Sequence, residues 1–119
     1  MRIITLEHAD TMPIYDRGTK YKLVSQARDG FGMDLNINLI KPNTVPGKYH
    51  LHTKSDSIYF VLEGTARLQV NDKIVDVSKH TLFQFDKEEP HSIANGGDGN
   101  LLLFEMYIPG DPDSVNVKQ

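Results

Sequence analysis

Three histidines are the residues of this chain best suited to chemistry: His50 and His52 in Tyr49-His50-Leu51-His52, and His91 in Pro90-His91-Ser92-Ile93-Ala94-Asn95. On an extended strand, residues i and i+2 share a face, so His50 and His52 can aim two imidazoles at one point. A third imidazole from elsewhere would complete a nitrogen site for a divalent transition ion. The same residues also admit plainer roles, a solvent-facing pair and a turn cap. With no cysteine in the chain, thiolate nucleophiles, Cys-held zinc or iron–sulfur sites and disulfides are all excluded, and a metal here must be held by nitrogen and oxygen. No Ser/His/Asp relay is supported, because Ser57 is the only serine near the histidines that bears on the site.

The elements that must position these side chains read as strands. From Met33 to Lys41, Leu35, Ile37 and Leu39 alternate with Asp34, Asn36 and Asn38, which is the period of a half-buried strand ending at Pro42. Ser57–Glu63 is strand-like up to Gly64, and Ala66–Val70 and Lys73–Val77 flank Asn71-Asp72 as a hairpin. Leu82–Phe85, His91–Ala94 and the apolar run Leu101–Ile108 follow, with weaker candidates at Arg2–Leu6 and Lys20–Arg28. Short strands with Gly/Pro/Asn/Asp punctuation predict an all-β sandwich or closed barrel. With 119 residues the chain is read as one domain, with its core at about 20–109 and a polar tail at 110–119 that frays or covers a neighbour. A net charge of −3, from 13 basic and 16 acidic residues without a basic cluster, argues against nucleic acid. No apolar run approaches the roughly 18 residues that span a bilayer, and the amino end does not resemble a signal peptide, so no membrane partner and a cytoplasmic location are expected.

With these residues in register the chain resembles the cupin superfamily, whose first motif is G-x5-H-x-H-x(3,4)-E-x6-G and whose second is G-x5-P-x-G-x2-H-x3-N. His50 and His52 match the first histidine pair and Gly64 its closing glycine, while His91 and Asn95 match the end of the second motif. His80, Asp86 and Glu88 stand where the second motif has glycine, proline and glycine. The resemblance covers about Thr44 to Asn95, and a spacer of 15 residues (Thr65–Lys79) is that of small single-domain members. It implies a small double-stranded β-helix, or jelly-roll, barrel, with His50, His52 and His91 as ligands of Fe, Mn, Ni or Zn, and a homodimer.

The chief departure is Ser57, seven residues before Gly64, where the family carries a metal-binding glutamate; Asp56 precedes it and should point to the opposite face. A neutral hydroxyl there leaves a three-imidazole site, more Lewis acidic and more receptive to an anionic ligand. Tyr59 shares the face of Ser57, which the resemblance places inside the barrel, where a phenol would serve as a general acid or simply pack. Asn36 and Asn38 either meet water or line a polar pocket; water is expected for Asn36, and Asn38, like Ser57, is a candidate substrate contact. Glu105 is expected in a paired or rim position, and whether Arg17, Lys20 or Arg28 reaches the pocket is left open. The function that follows is a cupin-type metalloenzyme acting on a small oxygen-bearing, carboxylate or enolisable, substrate by O2 insertion (an oxidoreductase) or by isomerase or lyase chemistry. The alternative is a non-catalytic cupin module binding a sugar-like or carboxylated small molecule.

Overall fold

Period-two alternation along much of the chain builds a structure whose regular elements are almost all antiparallel strands. The computed structural model describes residues 1–118. Its strands are β1 (Asp10–Pro13), β2 (Gly18–Val24), β3 (Asp34–Ile40), β4 (His50–Leu51), β5 (Asp56–Glu63), β6 (Thr65–Val70), β7 (Lys73–Ser78), β8 (Leu82–Phe85), β9 (Ser92–Asn95), β10 (Leu101–Ile108) and β11 (Val115–Asn116). One helical turn, α1 (Gln26–Asp29), is capped by the Ser25 side chain and ended by Gly30. The weak amino-terminal candidates resolve accordingly. Arg2–Leu6 is not a strand, a 3-10 turn occupies Leu6–His8, and Lys20–Arg28 divides into the end of β2 and α1.

One layer is a six-stranded sheet in the order β1-β2-β3-β10-β5-β8, and the other contains β7-β6-β9. The pair β11-β4 joins this second layer because His50 and His91 exchange backbone hydrogen bonds of 3.0 and 2.8 Å. Facing sheets linked in this way form the expected jelly-roll barrel, with Val61, Ala66, Leu101 and Leu103 sealed between them beside Tyr59, Phe83 and Phe85. The tail is docked rather than frayed: Val115 and Asn116 pair with Leu51 and His50, and the Val117 amide donates to the Tyr49 carbonyl at 2.9 Å.

Gly64 is where the chain leaves one sheet for the other. Its φ is +86°, and a Cβ there would stand 2.5 Å from the Asn100 carbonyl oxygen, so the position excludes any side chain on two counts. His80 and Glu88, which replace the two glycines of the second motif, have φ of 68° and 69°. The left-handed backbone that glycine serves is therefore retained after the glycines themselves are gone.

Candidate metal centre

The three histidines converge. β4 carries His50 and leads directly into His52, and the backbone bridge to β4 brings His91, just before β9, alongside them. One nitrogen from each ring lies within 4.8 Å of the other two. In every ring Nδ1 faces a main-chain carbonyl: Lys48 for His50 at 2.6 Å, Asp113 for His52, and Glu89 for His91 at 2.9 Å. A carbonyl only accepts, so each Nδ1 must carry the proton, and each Nε2 is left as a lone pair. The Nε2 atoms of His52 and His91 are buried without a hydrogen-bond partner. Orphaned buried acceptors are costly, and three oriented lone pairs sharing one spot fit a divalent ion.

Packing fixes the rings. His91 stacks on Phe85 with centroids 3.9 Å apart and planes 5° apart, and His52 meets the edge of Tyr107 at 5.1 Å. Burial presses the His91 imidazole down to about 4, and it lowers His50 as well, so both stand neutral at physiological pH. Asp113 belongs to the docked tail, where its carboxylate accepts from the Thr53 amide and hydroxyl at 2.8 and 2.6 Å. The partner that orients His52 thus comes from the segment read from sequence as a loose tail.

A cavity of about 420 Å³ opens beside the histidines, lined by His50, His52, Tyr59 and Asn38 among others. Its wall on the six-stranded sheet holds a buried polar network. The Glu105 carboxylate accepts from Lys20 at 2.8 Å, Asn36 at 3.0 Å and the Tyr107 hydroxyl at 3.0 Å. Burial by itself would raise the Glu105 carboxyl, but Lys20 and these hydrogen bonds hold it below its ordinary value. Tyr59, 2% exposed, reaches the Tyr107 hydroxyl at 3.4 Å, and burial followed by the nearby Glu105 charge pushes both phenols far up.

Several expectations change here. Asn36 does not meet water: it is 2% exposed, and the asparagine face of β3 is the inner one, because Leu35 and Leu39 occupy the outer face. Glu105 is paired, as expected, but it lies inside the barrel rather than at the rim. Asp56 is exposed and accepts from the Lys87 amide at 2.8 Å, away from the histidines. Ser57 sits on the inner face between Tyr107 and Phe85, with an unpartnered hydroxyl; among the described residues it does not line the cavity. Of the open cations, Arg17 and Lys20 line the cavity, while Arg28 is turned outward onto Asp10 and Asp29 at 2.6 and 2.9 Å. Tyr107 and Asp113 were not singled out from sequence. Tyr107 was accessible by its two-residue spacing from Glu105, whereas nothing in the tail's composition marks Asp113.

A jelly roll with a three-histidine cluster at one end of its interior defines a class of small β-barrel. The chain belongs to the cupin family: residues 37–107 match the family model described as a cupin domain. No curated protein sequence matches significantly. Among solved structures it is similar to the polyketide cyclase RemF from Streptomyces resistomycificus, at 21% identity over 100% of this chain and 87% of that one, with a TM-score of 0.82. It is also similar to a cupin-superfamily sugar phosphate isomerase from Silicibacter pomeroyi (13% identity, 99% and 83% coverage, TM-score 0.82). A third similar structure is the oxalate decarboxylase OxdC from Bacillus subtilis (14% identity, 94% and 31% coverage, TM-score 0.78). The chain spans about a third of the length of that decarboxylase. Among the described residues no helix is long and apolar enough to cross a membrane.

Proposed function

We propose that the barrel holds a divalent transition metal on the Nε2 atoms of His50, His52 and His91 and uses it as a metalloenzyme on a small oxygen-bearing substrate. The observation that carries this reading is the set of three Nδ1–H groups tied to carbonyls, which leaves three Nε2 lone pairs on rings with a nitrogen each within 4.8 Å of one another, those of His52 and His91 buried without a partner. When bound, such an ion supplies Lewis acidity and a point of attachment for a carboxylate, enolate or hydroxyl oxygen. Mn(II) centres occur in the similar Bacillus subtilis oxalate decarboxylase, and Fe, Ni and Zn suit imidazole equally well.

The chain's own groups define what the cavity does to its occupant. Tyr59 remains protonated, so it acts as a hydrogen-bond donor. Its side chain lines the cavity, where its hydroxyl reaches that of Tyr107 at 3.4 Å. Glu105 is engaged by three donors and serves to keep Lys20 and Tyr107 in place. Asn38 lines the cavity with a buried, unpartnered Oδ1 that accepts a hydrogen bond from a ligand hydroxyl. The barrel is read as one half of a homodimer, which light scattering on the purified protein checks.

The engagement of Glu105 and the serine at position 57 favour a second reading, a binding module without turnover, because among the described residues both carboxylates that line the cavity, Glu105 and Asp113, are already engaged by donors. Elemental analysis of protein purified without chelator tests the metal. One equivalent is expected per chain, lost in His50→Ala and His91→Ala; wild-type protein that takes up neither its native metal nor added Co(II) overturns the reading. Turnover by the loaded protein then separates enzyme from module.

A further inference from the structure

Arg17 occupies an unusual electrostatic position. It lies in the turn between β1 and β2, and its side chain crosses to the opposite sheet, where Nη2 donates to the Ile93 carbonyl at 2.8 Å. The Gly47 amide shares that carbonyl at 3.0 Å, and a Cβ on Gly47 would stand 3.0 Å from Arg17 Nη1. Glycine at 47 therefore makes the berth for the guanidinium, which is clamped in position beside the cavity that it lines. Its Nε is buried and has no hydrogen-bond partner, and among the described residues Arg17 makes no ion pair.

The other cation of the cavity already has its counter-charge. Lys20 is bound to Glu105 at 2.8 Å, and the Asp113 carboxylate is held by Thr53. Arg17 is thus the one cation of the cavity wall without an ion pair among the described residues, and burial lowers its pKa. A half-buried charge without an ion pair is unfavourable, and positions that break this rule are expected where a ligand completes them. A rigid planar guanidinium matches a carboxylate in shape, and a single cation matches its single charge.

We propose that Arg17 is a carboxylate anchor: the site takes a small organic acid whose carboxylate rests on Arg17 while an oxygen at its other end reaches the three histidines. The second half of this statement rests on the proposed metal reading; the anchor itself does not. The inference narrows the substrate class to acids with two oxygen functions separated by the width of the cavity.

Calorimetric titration of succinate and of glutarate into metal-free and Co(II)-loaded protein tests it, with Arg17→Gln and Arg17→Lys variants and succinamide as the neutral control. Expected is binding of at least one diacid in both forms, weakened at least about tenfold in Arg17→Gln and partly restored in Arg17→Lys, since a charge-assisted hydrogen bond contributes on that scale. Succinamide should not distinguish the variants, and Co(II) uptake, followed by its visible spectrum, should be the same in all three. Equal diacid affinity in wild type and Arg17→Gln overturns the proposal, as does the absence of diacid binding to wild type or tighter Arg17-dependent binding of inorganic phosphate. If Arg17→Gln fails to fold, Arg17→Lys decides, because it keeps the charge and loses the planar fork. Failure of wild type to take up Co(II) defeats the metal reading alone, and the metal-free titration still decides the anchor.

Discussion

At the scale of single residues, the behaviour of this protein is governed by polar groups that burial forces into one state. His91 is held neutral with its pKa near 4, against about 6.5 when unfolded. Between these values the unfolded chain binds more protons than the native one, so stability rises with pH across that window and falls on acidification. Metal-free protein should lose about 2 kcal/mol between pH 7 and pH 5 from this group, above the range where carboxylates titrate, and His91→Gln should flatten the slope in urea denaturation at the two pH values. Glu105 makes the opposite case, a buried carboxylate kept charged by Lys20. Glu105→Gln leaves the ammonium without its counter-charge, and a loss of about 3 kcal/mol is expected in thermal unfolding, largely recovered when Lys20→Met is added. The histidines were legible because a strand's two-residue period and the motif spacing both describe them. Asn36 and Glu105 were harder to read, because β3 turns its polar face inward and β10 carries apolar residues on both faces; alternation then gives the period but not the inward side, and only the identity of the opposing sheet settles it.

At the scale of elements, the central strands β3 and β5 to β10 followed from alternation while β1 and β11 did not, and the turns explain where identity and geometry part. His80 and Glu88 keep the left-handed backbone of the family's glycines, with amides donating to the Val61 and His52 carbonyls at 2.7 and 2.6 Å. These hydrogen bonds hold conformations that an L side chain disfavours by about 1 kcal/mol. His80→Gly and Glu88→Gly should therefore each raise stability by about 0.5 to 1 kcal/mol in chemical denaturation, whereas Gly64→Ala, blocked by the Asn100 carbonyl, should lower it by more than that. The tail shows what a local pattern leaves out. Val115 and Asn116 make too short a run to announce a strand, yet pairing with β4 delivers the Asp113 carbonyl to His52. Ending the chain at Gly110 should reduce Co(II) affinity by about 10- to 100-fold in a competition titration while the strand content in circular dichroism persists, because the carbonyl that orients the imidazole is lost but β10 is not. Asp113→Ala keeps the main-chain carbonyl and should cost much less. Unchanged affinity in the truncated chain would remove the tail from the site.

At the scale of the whole molecule, the three ligand histidines lie where the fold joins its separate pieces. His50 and His52 belong to the segment around β4, which is bound on one side to the carboxy-terminal β11, and His91 ends the loop that returns from β8, in the opposite sheet, to β9. An ion held by all three cross-links segments that are otherwise tied here by a short bridge and a two-residue pairing, and it binds the folded chain far better than an unfolded one. Stability then follows mass action: free metal at 100 times its dissociation constant adds about 2.7 kcal/mol. For a domain of 119 residues this corresponds to a rise of roughly 10 °C in the melting temperature. Calorimetric scans with increasing Co(II) should show a midpoint that climbs with the logarithm of its concentration in wild type and stays fixed in His91→Ala. A midpoint equally insensitive to the ion in both proteins would mean that these imidazoles serve the barrel by packing, with Phe85 and Tyr107 as their only partners of consequence.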